Sequence, residues 1–496
     1  MMKKYIFSLL LIVGVASCDI VDVLDKKPAF EADLEGAITN PETVELALNG
    51  IYYNLPGSGF NVIFPTTGGP FKAGTMRRQE FTGEVGNTIY YSERYYPTLS
   101  YSDTYEWDDD YSIIKNANYL EEALNGIDAG AFADNRKDEI IGEIYYLRAF
   151  AYFRLLTRYG EFWDETSPYG VIIRNENPSV ENAKKPRASV KESYEEILRQ
   201  VEVAIEKAPE WLNAAQASRE AAQALKAKAL FYSGNYQEAI QVIDETVDTN
   251  QNLPEANYGD VFDKFTTSEE ILFARFYDQN DAANTSTRET AYGNSTLKNQ
   301  GYWGPSKEYV ALVGDDPRAN AIFSDVDSLE FRGTTAYNLK SVKKFLNAAN
   351  NMPIIFSRTA ELYLMKAEAL YRTGASIATA YAPIEKIRQR AGATIQQPTT
   401  AEELEDAIFN EWMIEMSFEN WHEWFAQLRF AGFTERPDFT RLFQLNTILK
   451  ENYDEECEAS ASQGEAYYKR IIDRRIEAIP SSERNSNELA EQNPGY

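Results

Sequence analysis

The sequence predicts a mainly α fold in which tetratricopeptide-like helical hairpins form a scaffold, with long loop-rich inserts and a few short strands. Two stretches, 229–234 and 369–374, share the pattern Ala-Leu-aromatic-x-x-Gly, and 148–160 carries a looser version. Each closes an apolar run with the 3-and-4 spacing of an amphipathic helix, and glycine commonly ends a helix. The spacing between the copies is irregular, so the prediction is not a regular solenoid.

One junction supports the hairpin interpretation directly. After 229–234 the chain continues through Tyr236 and Ala239 into a second apolar run over 240–247. A Gly-x-Tyr-x-x-Ala junction between two amphipathic helices is the turn of a tetratricopeptide-type helix pair. The sequence therefore predicts two packed helices that meet near Gly234.

Long inserts separate the helical stretches. They are rich in Gly, Pro, Asn, Thr and Tyr, and they cover 56–106, 161–188, 251–310 and 315–355. Inserts of this length are usually functional or ordered against a scaffold, so we assign ligand binding to about 56–106 and 251–355. Short strands are expected at 170–173 and 270–276.

The N-terminus has the pattern of a secretory signal. Lys3 and Lys4 precede an apolar run over 5–16, and Ser17 and Cys18 follow it. The run is shorter than the roughly 20 apolar residues that span a bilayer. Val-Ala-Ser-Cys over 15–18 resembles the bacterial lipoprotein box, in which the cysteine becomes the lipidated first residue. We therefore predict a signal peptide over 1–17, lipidation of Cys18, and a mature single domain over 18–496.

Composition excludes some classes of ligand. The 496 residues carry a net charge of -28, from 77 acidic and 49 basic side chains. Most of such a surface would repel nucleic acid, which is therefore not an expected partner. If Cys18 is acylated, Cys457 is the only other cysteine, so no disulfide framework is expected. With a single histidine, no Cys/His zinc spacing can be drawn.

Several segments carry a resemblance to one family. They are Leu-Asp-Lys-Lys-Pro over 24–28, Ala-Leu-Asn-Gly-Ile-Tyr over 47–52, the helical pattern over 358–374, and a closing Gln-Asn-Pro-Gly-Tyr over 492–496. With these motifs the chain resembles, from end to end, the SusD/RagB family of Bacteroidetes outer-membrane nutrient-binding lipoproteins. One segment departs from the pattern. Where the family usually has an arginine-tryptophan pair followed by Asp-Leu, residues 421–426 are Trp-His-Glu-Trp-Phe-Ala.

The resemblance implies a binding protein without catalysis. Members of the family lie at the cell outer membrane, held by lipid and facing the cell exterior. They capture oligosaccharides, or in some branches peptides, and deliver them to a TonB-dependent (SusC-like) transporter. The helical scaffold is then expected to dock on the transporter, and the inserts are expected to carry the ligand site.

A neutral glycan is typically held by flat aromatic rings, while amides and guanidiniums bond its hydroxyls. Two inserts contain this mixture. The candidates are Arg77 with its neighbour Arg78, Asn87, Tyr95 and Tyr101 in the first insert, and Tyr292, Tyr302 and Trp303 in the second. Trp303 is the strongest candidate, because Gly301 and Gly304 leave its backbone approachable. The alternative is that Trp303 pins its loop to the scaffold.

Other chemistry has weaker signals, and no cofactor is expected. The acidic run 108–110 could bind structural calcium, but we expect a solvated acidic loop there. His422 is the only histidine, and we expect it to be structural, so nothing supports a His-dependent triad. Four tryptophans are also expected to be structural: Trp107, Trp412, Trp421 and Trp424.

Three alternatives stay open. The first keeps the fold and the transporter but changes the ligand to oligopeptides. The second is a helical-repeat scaffold that binds only protein. The third is a glycoside hydrolase, because paired carboxylates at catalytic spacing cannot be recognised in a sequence with 77 acidic residues.

Overall fold

We analysed the chain as a computed structural model. The residues that the structure describes are 37–55, 73–79, 102–276, 302–331, 334–345, 353–434, 438–442 and 475–496. Their α-helices, in chain order, are α1 (Pro41–Tyr53), α2 (Ser102–Asn125), α3 (Arg136–Tyr159), α4 (Val190–Lys207), α5 (Arg219–Tyr232), α6 (Tyr236–Thr246), α7 (Asp260–Asp263), α8 (Lys307–Val313), α9 (Ala319–Ile322), α10 (Thr359–Arg372), α11 (Ile377–Ala391), α12 (Ala401–Glu415), α13 (His422–Ala431) and α14 (Ser481–Ser486). The predicted mainly α fold is confirmed.

Successive helices pack against each other. Contacts join α2 to α3, α3 to α4, α5 to α6, and α10 to α11. The repeated glycines end their helices as predicted: Gly234 follows α5 with φ +84° and Gly374 follows α10 with φ +78°. Residues with a side chain rarely adopt this left-handed backbone conformation, so glycine is favoured at both positions. Gly160 differs, because it follows α3 in extended backbone with φ −115°.

The tightest helix contact depends on a missing side chain. A Cβ built on Gly142 in α3 would lie 2.1 Å from the backbone nitrogen of Ala208, which follows α4. Since backbone atoms cannot move aside cheaply, only glycine lets the end of α4 approach α3 this closely.

Six strands form three antiparallel pairs in the described parts of the chain. They are β1 (Met76–Gln79) with β3 (Tyr302–Pro305), β2 (Ile271–Phe276) with β6 (Pro353–Arg358), and β4 (Phe323–Phe331) with β5 (Thr334–Val342). The strand expected at 270–276 is confirmed as β2. The β4–β5 pair is a hairpin with Phe323 opposite Val342, and β5 also lies beside β3.

The prediction of a strand at 170–173 is wrong. No strand forms there, and side chains satisfy most of the segment's polar groups in place of a neighbouring strand. Val171 N donates to Ser193 Oγ (3.0 Å), and Ile172 exchanges hydrogen bonds with the Tyr111 hydroxyl (3.1 Å each). Only the pair with Ala188 is backbone to backbone. The segment therefore lies against the helices as an ordered loop.

The acidic run 108–110 also differs from expectation, because it lies within α2 and is not a solvated loop. Asp110 is fully buried, and its Oδ1 accepts from Arg154 Nε of α3 at 2.9 Å. Burial is tolerated because the guanidinium lies on the neighbouring helix. Among the described residues, no group of three or more His, Cys, Asp or Glu side chains is arranged to hold a metal ion.

The helices are those of a packed scaffold. In the described part of the chain, no helix combines the length and the apolar content that crossing a membrane requires.

Residues 102–106, which the first insert was expected to include, already belong to α2. The core runs through most of the helices and includes all four of the expected structural tryptophans, Trp107, Trp412, Trp421 and Trp424.

Candidate functional site

The β1–β3 sheet brings the two predicted ligand-binding inserts together. In its register Arg77 lies opposite Gly304, Arg78 opposite Trp303, and Gln79 opposite Tyr302. Three of the predicted site residues, Arg77, Tyr302 and Trp303, thus share one small sheet although their inserts are far apart in sequence. The remaining candidates lie outside the described residues, as does the predicted lipidation site: Asn87, Tyr95, Tyr101, Tyr292 and Cys18.

Buried hydrogen bonds fix the start of this sheet to α13. Gln427 Nε2 donates to the carbonyl of Ala73 at 2.8 Å, just before β1. Thr75 Oγ1 donates to Glu423 Oε1 at 3.4 Å, and the Thr75 carbonyl accepts from Ser306 N at 2.8 Å. All five residues are buried, so the root of the sheet is held within the scaffold.

Residues that follow β3 fix it from the other end. Ser306 caps α8, since its hydroxyl accepts from Tyr309 N at 3.2 Å. Tyr309 is fully buried and meets Phe323 and Phe418 edge to face, with ring centroids 5.8 and 5.2 Å apart. Edge-to-face aromatic packing of this kind contributes about 0.5–1.5 kcal/mol per pair beyond burial. The sheet therefore continues into a helix that is anchored in the core.

The turn between α12 and α13 has an unusual backbone. Phe418, Asn420 and Trp421 all have positive φ, at +62°, +39° and +70°. Each such non-glycine residue costs about 1–3 kcal/mol, so surrounding contacts must hold the turn. The Arg158 guanidinium supplies two of them, donating to Asn420 Oδ1 (3.2 Å) and lying 5.1 Å from the Trp421 ring centroid. This is the segment in which the sequence departs from the family pattern.

Glu423 connects that turn to the sheet. Its Oε1 accepts a short hydrogen bond from Phe418 N as well as the bond from Thr75. Burial raises the pKa of the Glu423 carboxyl to about 7, against the opposing hydrogen bond from Phe418. The carboxyl is therefore an acceptor whose charge changes near neutral pH.

A network of buried ion pairs lies on the other side of the turn. Arg358 donates to Glu270 Oε1 (2.9 Å), to Glu415 Oε1 (2.7 Å) and to Glu419 Oε2 (2.8 Å). Lys344 Nζ also donates to Glu419, at 2.6 Å. Because buried charges are tolerated only when they are paired, this network specifies how the turn meets the rest of the core.

The expectations for the other aromatic residues are confirmed. Trp107 and Trp412 are buried, Trp421 precedes α13 with 5% of its surface exposed, and Trp424 is buried within α13. His422 is buried as well, and burial holds its pKa well below the usual range, with Lys228 adding to the effect. A neutral, enclosed imidazole fits the structural role that we expected.

Sequence reasoning missed how the site is supported. Gln79 enters the sheet opposite Tyr302, and Glu423 and Gln427 hold its root, yet none of the three stood out in the sequence. A signal existed for the last two only. They are polar residues at 4-residue spacing on a helix whose other positions are apolar apart from His422 and Arg429, which indicates buried partners.

Comparisons with known proteins agree on one family. The model of the SusD family matches residues 222–496, and a second model, described as "Starch-binding associating with outer membrane", matches residues 72–232. No curated protein matches the chain.

Several solved structures share the fold. A SusD superfamily protein from Bacteroides thetaiotaomicron is 18% identical, with 92% of this chain and 100% of that chain covered and a TM-score of 0.70. A laminarin binding SusD-like protein is 19% identical, with 92% and 100% covered and a TM-score of 0.66. A SusD-like carbohydrate binding protein from Bacteroides vulgatus is 18% identical, with 79% and 84% covered and a TM-score of 0.63.

Proposed function

Because the chain belongs to the SusD family, we propose that it is an outer-membrane lipoprotein that binds oligosaccharides and delivers them to a TonB-dependent transporter. In this proposal Cys18 carries the lipid, the protein faces the cell exterior, and no chemical step takes place. Two of the similar structures are described as binding laminarin or carbohydrate, and one matching family model as starch-binding. These descriptions support a glycan as the ligand class.

The observation that carries the proposal is the register of the β1–β3 sheet. Trp303 lies directly opposite Arg78, and Tyr302 lies opposite Gln79. Directly opposed positions of an antiparallel pair share a face of the sheet. Indole and phenol rings offer rigid apolar area, while guanidinium and amide groups donate to hydroxyls. Successive residues of a strand lie on opposite faces, so each face of the sheet has one such pair, a ring position opposite a hydrogen-bonding position.

The anchoring of the sheet supports the same conclusion. Binding is weakened when loops must become ordered, so a platform that is already fixed retains more of its interaction energy. Here Gln427 and Glu423 hold the root of β1, and Tyr309 holds the chain that follows β3. The two strands are therefore presented by the scaffold in advance of the ligand.

The binding proposal is tested by calorimetric titration of the soluble chain 19–496 with laminarin and starch oligosaccharides. Trp303→Ala should weaken binding of the preferred glycan by about tenfold or more, since stacked rings are typical binding hot spots. Tyr53→Ala, at an exposed aromatic residue on α1, is the matched control and should bind normally. Equal affinity of Trp303→Ala and wild type, with both folded, would remove Trp303 from the site. Binding of peptides in place of glycans would favour the oligopeptide alternative.

The same titrations address catalysis. After long incubation with the preferred oligosaccharide, chromatography should recover the glycan unchanged. Release of shorter products by the wild type, and not by a variant in which a pair of neighbouring carboxylates is replaced by amides, would favour the hydrolase alternative.

The lipid anchor is tested in cells. Each buried methylene of an acyl chain contributes about 0.8 kcal/mol, so losing the chains should release the protein from membranes. Cys18→Ala should move the protein to the soluble fraction, while Cys457→Ala should leave it in the membrane fraction. Membrane retention of the Cys18→Ala variant would contradict the proposed anchor.

The transporter partnership is tested by affinity capture from an outer-membrane extract in mild detergent. Wild type should recover a large outer-membrane transporter, and added oligosaccharide should be retained in the complex. Capture of protein partners together with an absence of any glycan affinity would favour the protein-binding scaffold.

A further inference from the structure

The described residues that line one concave surface of the molecule belong neither to β1 nor to β3. It lies where α7, the start of α9, the end of α11 and the residues after β5 meet, and its volume is about 430 Å³. Sites for small molecules usually have volumes of about 300–1,000 Å³. We call this surface the α7–α11 cleft.

The floor of the α7–α11 cleft is cationic. Arg318, Lys344 and Arg390 line it, and at most 3% of each side chain is exposed. Their carboxylate partners include Glu415 and Glu419, which do not line the cleft. The charged side chains that line the cleft among the described residues are four cations and one carboxylate, so the lining favours an anion.

Lys344 acts through its field and not by direct bonding, whereas Arg390 Nε has no hydrogen-bond partner among the described residues. Lys344 uses three donors on Glu419 Oε1 (2.6 Å), the Ser417 carbonyl (2.8 Å) and the Glu415 carbonyl (3.0 Å). The exposed rim supplies the groups that can reach a ligand. It carries the ammonium of Lys343, the amides of Asn257 and Asn320, and one carboxylate, Asp263.

We propose that the α7–α11 cleft binds a small monocarboxylate that also carries hydroxyl or amide groups. Lys343 pairs with the carboxylate above the positive floor, and Asn257 and Asn320 bond the neighbouring polar groups. The negative charge of Asp263 on the rim disfavours the binding of a dianion such as phosphate. An acidic sugar and the C-terminal carboxylate of a peptide share this chemistry. The site is separate from the proposed glycan platform and adds a second ligand class to it.

The test titrates the soluble chain 19–496 with glucuronate, N-acetylalanine, glucose and inorganic phosphate, followed by calorimetry or ligand-observed NMR. We expect the carboxylates to bind and glucose to bind much more weakly. Reversing the charge of one rim residue, Lys343→Glu, should weaken carboxylate binding by about tenfold or more. Lys191→Glu is the matched control, because it makes the same charge change at an exposed lysine on α4 that does not line the cleft. Circular dichroism checks that both variants fold.

The outcomes separate the two sources and the two sites. Preference for glucuronate identifies an acidic sugar, and preference for N-acetylalanine identifies a peptide carboxylate. Trp303→Ala should leave carboxylate binding unchanged, so failure of the glycan proposal does not affect this one. Four results would overturn it: no carboxylate binding, tighter binding of phosphate or glucose, an equal loss in Lys191→Glu, or loss in Trp303→Ala.

Discussion

Replacing Glu423 with glutamine should reduce the pH dependence of stability. Glu423 lies in the first turn of α13, fully buried, and accepts hydrogen bonds from Phe418 N and Thr75 Oγ1. Glutamine keeps an acceptor oxygen of the same shape and carries no charge at any pH. The substitution therefore isolates the cost of ionising this carboxyl in the core.

The direction and size of the effect follow from the pKa. Burial raises the Glu423 pKa from 4.5 to about 7, so between these values the folded chain keeps a proton that the unfolded chain has lost. Stability then falls as pH rises through this window. A gap of about 2.5 between the two pKa values corresponds to about 3 kcal/mol, at about 1.4 kcal/mol per unit. Of this, about 2–3 kcal/mol is lost between about pH 5 and 8.

The measurement is urea unfolding at pH 5 and pH 8, followed by circular dichroism. Asp109 and Asp110, with pKa values raised by burial to about 7 and about 6, act in the same direction in every variant. The change on going from pH 5 to pH 8 should be smaller in Glu423→Gln than in wild type by about 2–3 kcal/mol. Glu238→Gln, at an exposed position of α6, is the control and should behave as wild type. An unchanged pH dependence in Glu423→Gln would refute the argument.

Two further predictions concern packing and buried charge. Gly142→Ala should lower the melting temperature, because the added Cβ would meet the backbone of Ala208. Gly50→Ala in α1 should stabilise the fold by about 0.5–1 kcal/mol, because no atom lies within 4 Å of the added Cβ. Thermal melts check both, and a Gly142→Ala protein as stable as wild type would contradict the close helix approach. Arg358→Met should destabilise by about 3–5 kcal/mol in urea unfolding, because it removes a buried cation that neutralises three buried carboxylates, Glu270, Glu415 and Glu419. Arg219→Met, at a half-exposed arginine, should cost less than about 0.5 kcal/mol, and equal losses in the two variants would count against the network.

The helical scaffold could be predicted because its signals are local. The sequence segments that end at Gly234 and Gly374 have apolar residues spaced three and four apart, followed by a glycine. Both glycines adopt the left-handed backbone conformation that ends a helix. Amphipathic spacing is visible within one helix. The strand β2 could also be predicted, because its residues Ile271–Phe276 are apolar except for Arg275 and follow a polar segment.

The acidic run shows where local reasoning fails. Three consecutive aspartates have low helix propensity and high charge, which favours a solvated loop. In the structure they lie in α2, and Asp110 is buried because Arg154 reaches it from α3. A partner 44 residues away decides the outcome, and no pattern within the run itself indicates it.

The candidate site was only partly predictable for the same reason. Residue type and loop composition selected Arg77, Tyr302 and Trp303 separately. That β1 pairs with β3 depends on register between strands more than two hundred residues apart, which short strands do not encode in their own pattern. The spacing of the supporting residues Glu423 and Gln427 indicated buried partners, but it did not indicate that those partners precede β1.

The turn between α12 and α13 links these features. Towards β1, Glu423 accepts from Thr75; towards the α7–α11 cleft, Ser417 and Glu419 accept from Lys344. The positive φ angles of the turn persist because both sets of contacts hold it. Changes that relax the turn should therefore disturb both proposed ligand surfaces together. Substitutions on either surface alone, such as Trp303→Ala or Lys343→Glu, should affect one and leave the other intact.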